Sequence, residues 1–120
     1  MDAIVLLGHG ARDPEWARPL ERLRDVVLAH QPGLDVGLAF LEFMQPGLAE
    51  ALEQAIARGA ASIRVVPVFL AQGGHVKRDV PEILAAVARR FPSVQLEMTL
   101  ALGEAPGVLS AMAAEVLRAE

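Results

Sequence analysis

The 120-residue chain has no cysteine and no tyrosine, and only one tryptophan and four phenylalanines. The missing thiols exclude disulfides, thiolate metal sites and a cysteine nucleophile together, so any metal must be held by imidazole and carboxylate. Aromatics make up 4% of a chain that is 53% hydrophobic, so the core has to be built of Ala, Leu, Val and Ile, the usual filling between helices and a parallel sheet. Long apolar runs are also missing: none approaches the roughly 20 residues of a membrane span. The opening run, residues 1–7, is too short and wrongly charged for a signal peptide, and the chain reads as cytoplasmic with no membrane partner. Basic surface is scarce as well. Eleven dispersed Lys and Arg against fifteen Asp and Glu give a net charge of -4, which argues against a nucleic-acid partner. Neither a G-x-G-x-x-G run nor a P-loop occurs, so the common nucleotide fingerprints are absent.

What is present is a regular alternation. Residues 3–7, 34–43, 63–68 and 94–98 are aliphatic or β-branched runs that predict four buried strands. Between them lie helical patterns. The first carries Leu20, Leu23, Val26 and Val27, with Pro19 in its opening turn. The second carries Leu48, Leu52 and Ile56, opening at Pro46 and closing at Gly59. The third is expected at about 80–91 and the fourth at about 106–117. This order predicts one α/β domain over residues 1–120, a four-stranded parallel sheet flanked by helices in three layers. At this length about two-thirds of the unfolded surface can be buried, so no staple is needed. The commonest order for such a sheet puts strand 1 between strands 2 and 3, and ligands then bind beyond the carboxyl ends of the strands at that switch point.

Two turns meet there. Gly8-His9-Gly10-Ala11-Arg12-Asp13 follows the first strand and Gly74-His75-Val76-Lys77-Arg78-Asp79 follows the third, and both read Gly-His-x-x-Arg-Asp. Neighbouring strands are about 4.8 Å apart, so His9 and His75 are expected near enough to share a metal ion or a substrate. Gly10 and Gly74 free the turns for unusual backbone or close ligand approach. Asp13 and Asp79 occupy N-cap positions, each followed within two residues by proline. His30, at a helix end before Gln31-Pro32-Gly33, is read as bonding the last carbonyls. Glu42 follows Phe40-Leu41 at the expected end of strand 2, among large apolar neighbours. It is read as a third metal ligand, as a proton acceptor with a pKa raised by burial, or as a structural acid. Arg12, Lys77 and Arg78 gather positive charge suited to an anionic substrate. Trp16 is read as a staple beneath the first helix, with a crevice wall as the alternative. Other readings of the histidines are a non-catalytic cobalt or nickel carrier and, more weakly, a histidine phosphatase or phosphotransfer domain, which generally wants arginine where this chain has Gly8. A receiver domain lacks its pair of acids after strand 1.

The segments Leu7-Gly8-His9-Gly10-Ala11-Arg12-Asp13-Pro14, Phe40-Leu41-Glu42-Phe43 with Pro46, Pro67-Val68-Phe69-Leu70, Gly74-His75 and Asp79-Val80-Pro81 together resemble the small CbiX-type sirohydrochlorin chelatases, relatives of the SirB ferrochelatases. The resemblance spans the chain, and departs from the usual pattern at Ala11, where the family most often has serine. It implies half of a two-domain class II chelatase fold and a lyase that inserts a divalent metal into a tetrapyrrole. His9 and His75 would bind the ion, with Glu42 as ligand or base and Arg12, Lys77, Arg78, Gly10 and Gly74 on the substrate. It further implies a homodimer. No organic cofactor is expected; the metal is substrate. By resemblance alone the ion is cobalt, for cobalamin synthesis, with iron for sirohaem or nickel as alternatives.

Overall fold

Residues 3, 5 and 7 of the first strand, Ala3–Gly8 (β1), are buried in one core cluster, while Leu6 belongs to a second, with Ile4 packed against it. A strand sends successive side chains to opposite faces, so this split marks a sheet with helices on both sides. The structure is a computed structural model that describes residues 1–118; the His75 side chain lies outside the described residues. After β1 come a 3₁₀ turn at Pro14–Ala17, α1 (Arg18–His30), β2 (Asp35–Phe40), α2 (Leu48–Ala57) and β3 (Ser62–Pro67). Then follow α3 (Gly74–Arg90), β4 (Gln95–Met98), a 3₁₀ turn at Leu102–Glu104 and α4 (Pro106–Arg118). The sheet is parallel in the order β2-β1-β3-β4, which puts β1 between β2 and β3 as the sequence predicts. Leu48, Ala51, Leu52 and Ala55 of α2 and Val76, Val80 and Val87 of α3 fill the larger cluster. Leu20 of α1 joins Leu6 and Phe40 on the other face. Helix α4 has no buried residue, and its main contact is the 3₁₀ turn before it.

Two predicted boundaries are corrected. Strand β2 stops at Phe40 rather than continuing to residue 43. A tight turn intervenes: Met44 N donates to Glu42 O at 2.8 Å around Phe43 at φ 66°, and Phe40 N bonds the returning Pro46 O at 2.9 Å. Helix α3 starts at Gly74, six residues ahead of expectation, and runs through Pro81. Asp79 is therefore inside the helix and not its cap, and Gly74 lies in the first helical turn, where a β-carbon would meet nothing. An internal proline costs about 3 kcal/mol. Burial of Val76 and Val80, one turn apart on the same face, returns roughly 1.5–3 kcal/mol each. The core holds the early turn in place despite the proline. Asp13 does cap as expected, accepting Glu15 N at 3.0 Å at the start of the first 3₁₀ turn.

Asp2 ties the amino end of β1 to β3. Ala61 N and Ser62 N donate to its carboxylate at 2.9 and 3.0 Å, and these bonds, Ala61 first, hold its pKa below the ordinary carboxylate value. A lowered native pKa means the contribution is present above the unfolded pKa and is lost as pH falls through the native one. Asp2→Asn is accordingly expected to lower the urea midpoint at neutral pH and to converge with the unsubstituted chain in strong acid. A gap between them that widened on acidification would contradict this assignment.

Candidate functional site

His9 is the first residue beyond β1, and the backbone pairing of this segment continues past the ends of both neighbouring strands. Leu41 N donates to Gly8 O and Glu42 N to His9 O, each at 3.1 Å, while Val68 N donates to Leu7 O at 2.8 Å. The loops after β2 and β3 are thus bonded directly to the segment that carries His9. Gly10 makes the arrangement possible. Its φ is 87°, and a β-carbon there would collide with the Glu42 carbonyl oxygen.

The His9 ring is exposed and lies over Phe69, with centroids 4.0 Å apart and planes inclined by 24°. Phe69 is buried just beyond β3, and Gly103 N donates to its carbonyl at 2.8 Å. Neither ring nitrogen of His9 makes a hydrogen bond among the described residues. Beside it opens a cavity of about 460 Å³ walled by Trp16, Pro19, Leu20, Phe40 and Val68. Trp16 is 69% exposed, so it is a wall of this cavity and not a staple under α1. The 3₁₀ turn holds it outward, ahead of the first residue of α1. A larger cavity, about 600 Å³, lies along the open edge of β2 away from His9.

Glu42 is joined to His9 through the backbone, but its side chain is exposed and lines a separate cavity of about 660 Å³ with Phe43, Gln45 and Ile83. The early end of β2 swings it out of the apolar layer, so the burial expected of it is not there. Arg12 lies with its guanidinium 4.7 Å above the Phe43 ring, an exposed cation–π contact that braces the left-handed Phe43. Lys77 and Arg78 are exposed in the opening turns of α3. The backbone of residue 75 occupies the first turn of that helix, and its imidazole is outside the described residues. Among the described residues no three His, Asp or Glu side chains are grouped to hold a metal. His30 Nδ1 lies 2.9 Å from Val26 O, the helix-end role expected of it. Phe69 and Phe43 enter the sequence reading only within motifs. The signal that singles them out is an aromatic just past a strand end in an aromatic-poor chain.

Residues 3–119 match the CbiX family model. A sirohydrochlorin cobaltochelatase of Methanocaldococcus jannaschii is 42% identical over 89 residues, covering 72% of this chain and 61% of that protein. The chain spans about 61% of the length of the curated relatives it matches. Among solved structures, a CbiX protein of Marinobacter aquaeolei VT8, assigned by name to cobalamin (vitamin B12) biosynthesis, superposes with a TM-score of 0.83 at 27% identity, over 97% of this chain and 94% of that one. The sirohydrochlorin chelatase SirB of Bacillus subtilis subspecies spizizenii, solved with cobalt, gives 0.74 at 30% identity, over 83% of this chain and 43% of that one.

Gly10→Ala is expected to destabilise the fold by at least about 2 kcal/mol, through left-handed strain and displacement of the Glu42 carbonyl. Urea unfolding measures it. An unchanged midpoint would mean the two loops are not locked together here.

Proposed function

We propose, from the premise that the chain belongs to the CbiX family, that it is a sirohydrochlorin metal chelatase, a lyase whose substrates are a divalent cation and a tetrapyrrole. The observation that carries the reading is His9, presented at the end of the central strand on an aromatic wall, beside a cavity and with both ring nitrogens free of described partners. His9 and His75 are the proposed metal ligands. Two imidazoles displace part of the hydration shell of the ion but leave coordination positions open, which suits transfer to pyrrole nitrogens better than storage. The macrocycle sheds its inner protons as the ion enters. Glu42, exposed and bonded through its amide to the His9 carbonyl, is the proposed acceptor for them, and ligation of the ion is its alternative role. Arg12, Lys77 and Arg78 would meet the peripheral carboxylates, with Gly10 and Gly74 on the substrate-facing backbone. The chemistry calls for no organic cofactor.

Cobalt is the proposed ion, supported by the names of the curated relatives and by SirB solved with cobalt; this favours cobalamin synthesis over sirohaem. A cytoplasmic location fits a chain in which no described helix is long and apolar enough to cross a membrane. Two copies are proposed to pair. Leu109, Met112 and Val116 recur at three and four residues along α4, and Leu109 and Val116 are exposed, an apolar stripe left uncovered among the described residues.

Anaerobic incubation with sirohydrochlorin and Co²⁺, Fe²⁺ or Ni²⁺, followed by absorbance, tests the activity. Insertion is expected fastest with Co²⁺, and no acceleration with any ion would end the chelatase reading. His9→Ala is expected to cut the rate about a hundredfold or more while the amide spectrum stays folded. A carrier that does not catalyse would bind Co²⁺ and fail to bind the metal-free macrocycle. For the pairing, light scattering should report a dimer that Val116→Asp converts to monomer; a monomer at the outset rejects it.

A further inference from the structure

Resting on the reading that His9 takes the incoming ion, we infer that Phe69 is the positioning residue for that imidazole, supplying by ring stacking the orientation that a hydrogen bond supplies in most histidine metal sites. A ligating histidine ordinarily donates its second ring N–H to a carboxylate or carbonyl, which fixes the tautomer, aims the ring and strengthens the ligand. His9 has no such partner among the described residues. What it has is an aromatic face at 4.0 Å and 24°. Metal–imidazole bonds form in the ring plane, so a stacked neighbour restricts the ring without occupying either nitrogen.

The wall itself is anchored. Phe69 belongs to the main core cluster at 7% exposure. Its carbonyl is bonded by Gly103 N at 2.8 Å, and Gly103 lies so close to the Leu70 backbone that no β-carbon fits between them. The 3₁₀ turn at Leu102–Glu104 therefore clamps the segment after β3, and that segment aims His9. Orientation and ligand strength, usually set by one hydrogen bond, are separated. The ring is held in direction, yet no acceptor among the described residues engages its second nitrogen, which fits an ion that must be taken up and then released.

The test uses the full chain with Phe69→Leu and Phe69→Met, which remove the ring, and Phe69→Tyr, which keeps it. Nuclear magnetic resonance of the His9 ring protons reads the stack directly: an upfield displacement is expected in the unsubstituted chain and in Phe69→Tyr, and its loss in the Leu and Met variants. Cobalt affinity, read from Co²⁺ absorbance, is expected to fall about tenfold in the Leu and Met variants and to stay within about twofold in Phe69→Tyr. Insertion by the same two variants should lose kcat with KM for sirohydrochlorin unaltered. Two non-aromatic replacements guard against one failing to fold, which the amide spectrum reports. The inference is overturned if His9 shifts and Co²⁺ affinity are unchanged without the ring, or if Phe69→Tyr loses as much as Phe69→Leu. Should the unsubstituted chain insert no metal, the functional reading falls, while the ring shifts and Co²⁺ affinity still decide the role of Phe69.

Discussion

The carbonyls of Leu7, Gly8 and His9 are all taken by backbone amides of the loops on either side, Val68 from beyond β3 and Leu41 and Glu42 from beyond β2. A parallel sheet normally gives up its ladder where the strands end, and loops at that edge are free to vary. Here the ladder continues into the loops, and everything at the candidate site hangs from it. The backbone of His9 cannot shift against the loop after β2 unless these bonds are broken. Glu42 cannot leave the neighbourhood of His9 without losing the bond its amide makes. The requirement is steric as much as electrostatic, since only a glycine at position 10 lets the second loop come so close.

The skeleton of this arrangement is written in the sequence. Four apolar runs separated by helical periods dictate a parallel sheet, and the switch point of the commonest strand order falls beside His9. What the sequence obscures is local competition between terms of similar size. Pro81 argues for a helix beginning near residue 80, yet Val76 and Val80 share a buried face and extend it to Gly74. The repeated Gly-His-x-x-Arg-Asp pattern suggests two equivalent turns, and one copy folds as a left-handed turn leading to a 3₁₀ segment while the other is helix. Glu42 reads as a buried strand-end acid because its neighbours are apolar. A turn around Phe43 reverses the chain before those neighbours can enclose it. Trp16 is the same lesson at a helix entrance, where large apolar character predicts burial and a capped 3₁₀ turn holds the ring out in solvent.

An exposed acid and an exposed aromatic wall change what the chemistry requires. Under the proposed reading, a solvent-facing carboxylate would hand on protons through water and not through a closed apolar layer. A tryptophan facing a cavity offers a flat apolar surface, which a large conjugated ring can cover with a gain that water cannot match. Both groups leave the site open to solvent on the sides they line.

On the chelatase reading, transfer would also set a ceiling on how tightly an ion can be held, since an enzyme that binds its metal substrate too well has only lowered the ground state and raised the barrier to release. A closed tetrahedral set of three or four ligands would approach that limit. Lowering affinity by loosening the ligand would be self-defeating, because a wandering imidazole costs orientation at the moment of transfer. On the proposed reading, stacking on a buried aromatic reconciles the two: it restricts the ring by contact over its face, worth about 0.5–1.5 kcal/mol, without occupying either nitrogen. On that account the aromatic-poor composition is informative in reverse. A chain that builds its core mostly from aliphatic side chains and still places a core phenylalanine under its strand-end histidine has, on the proposed reading, used one ring for packing and for direction together.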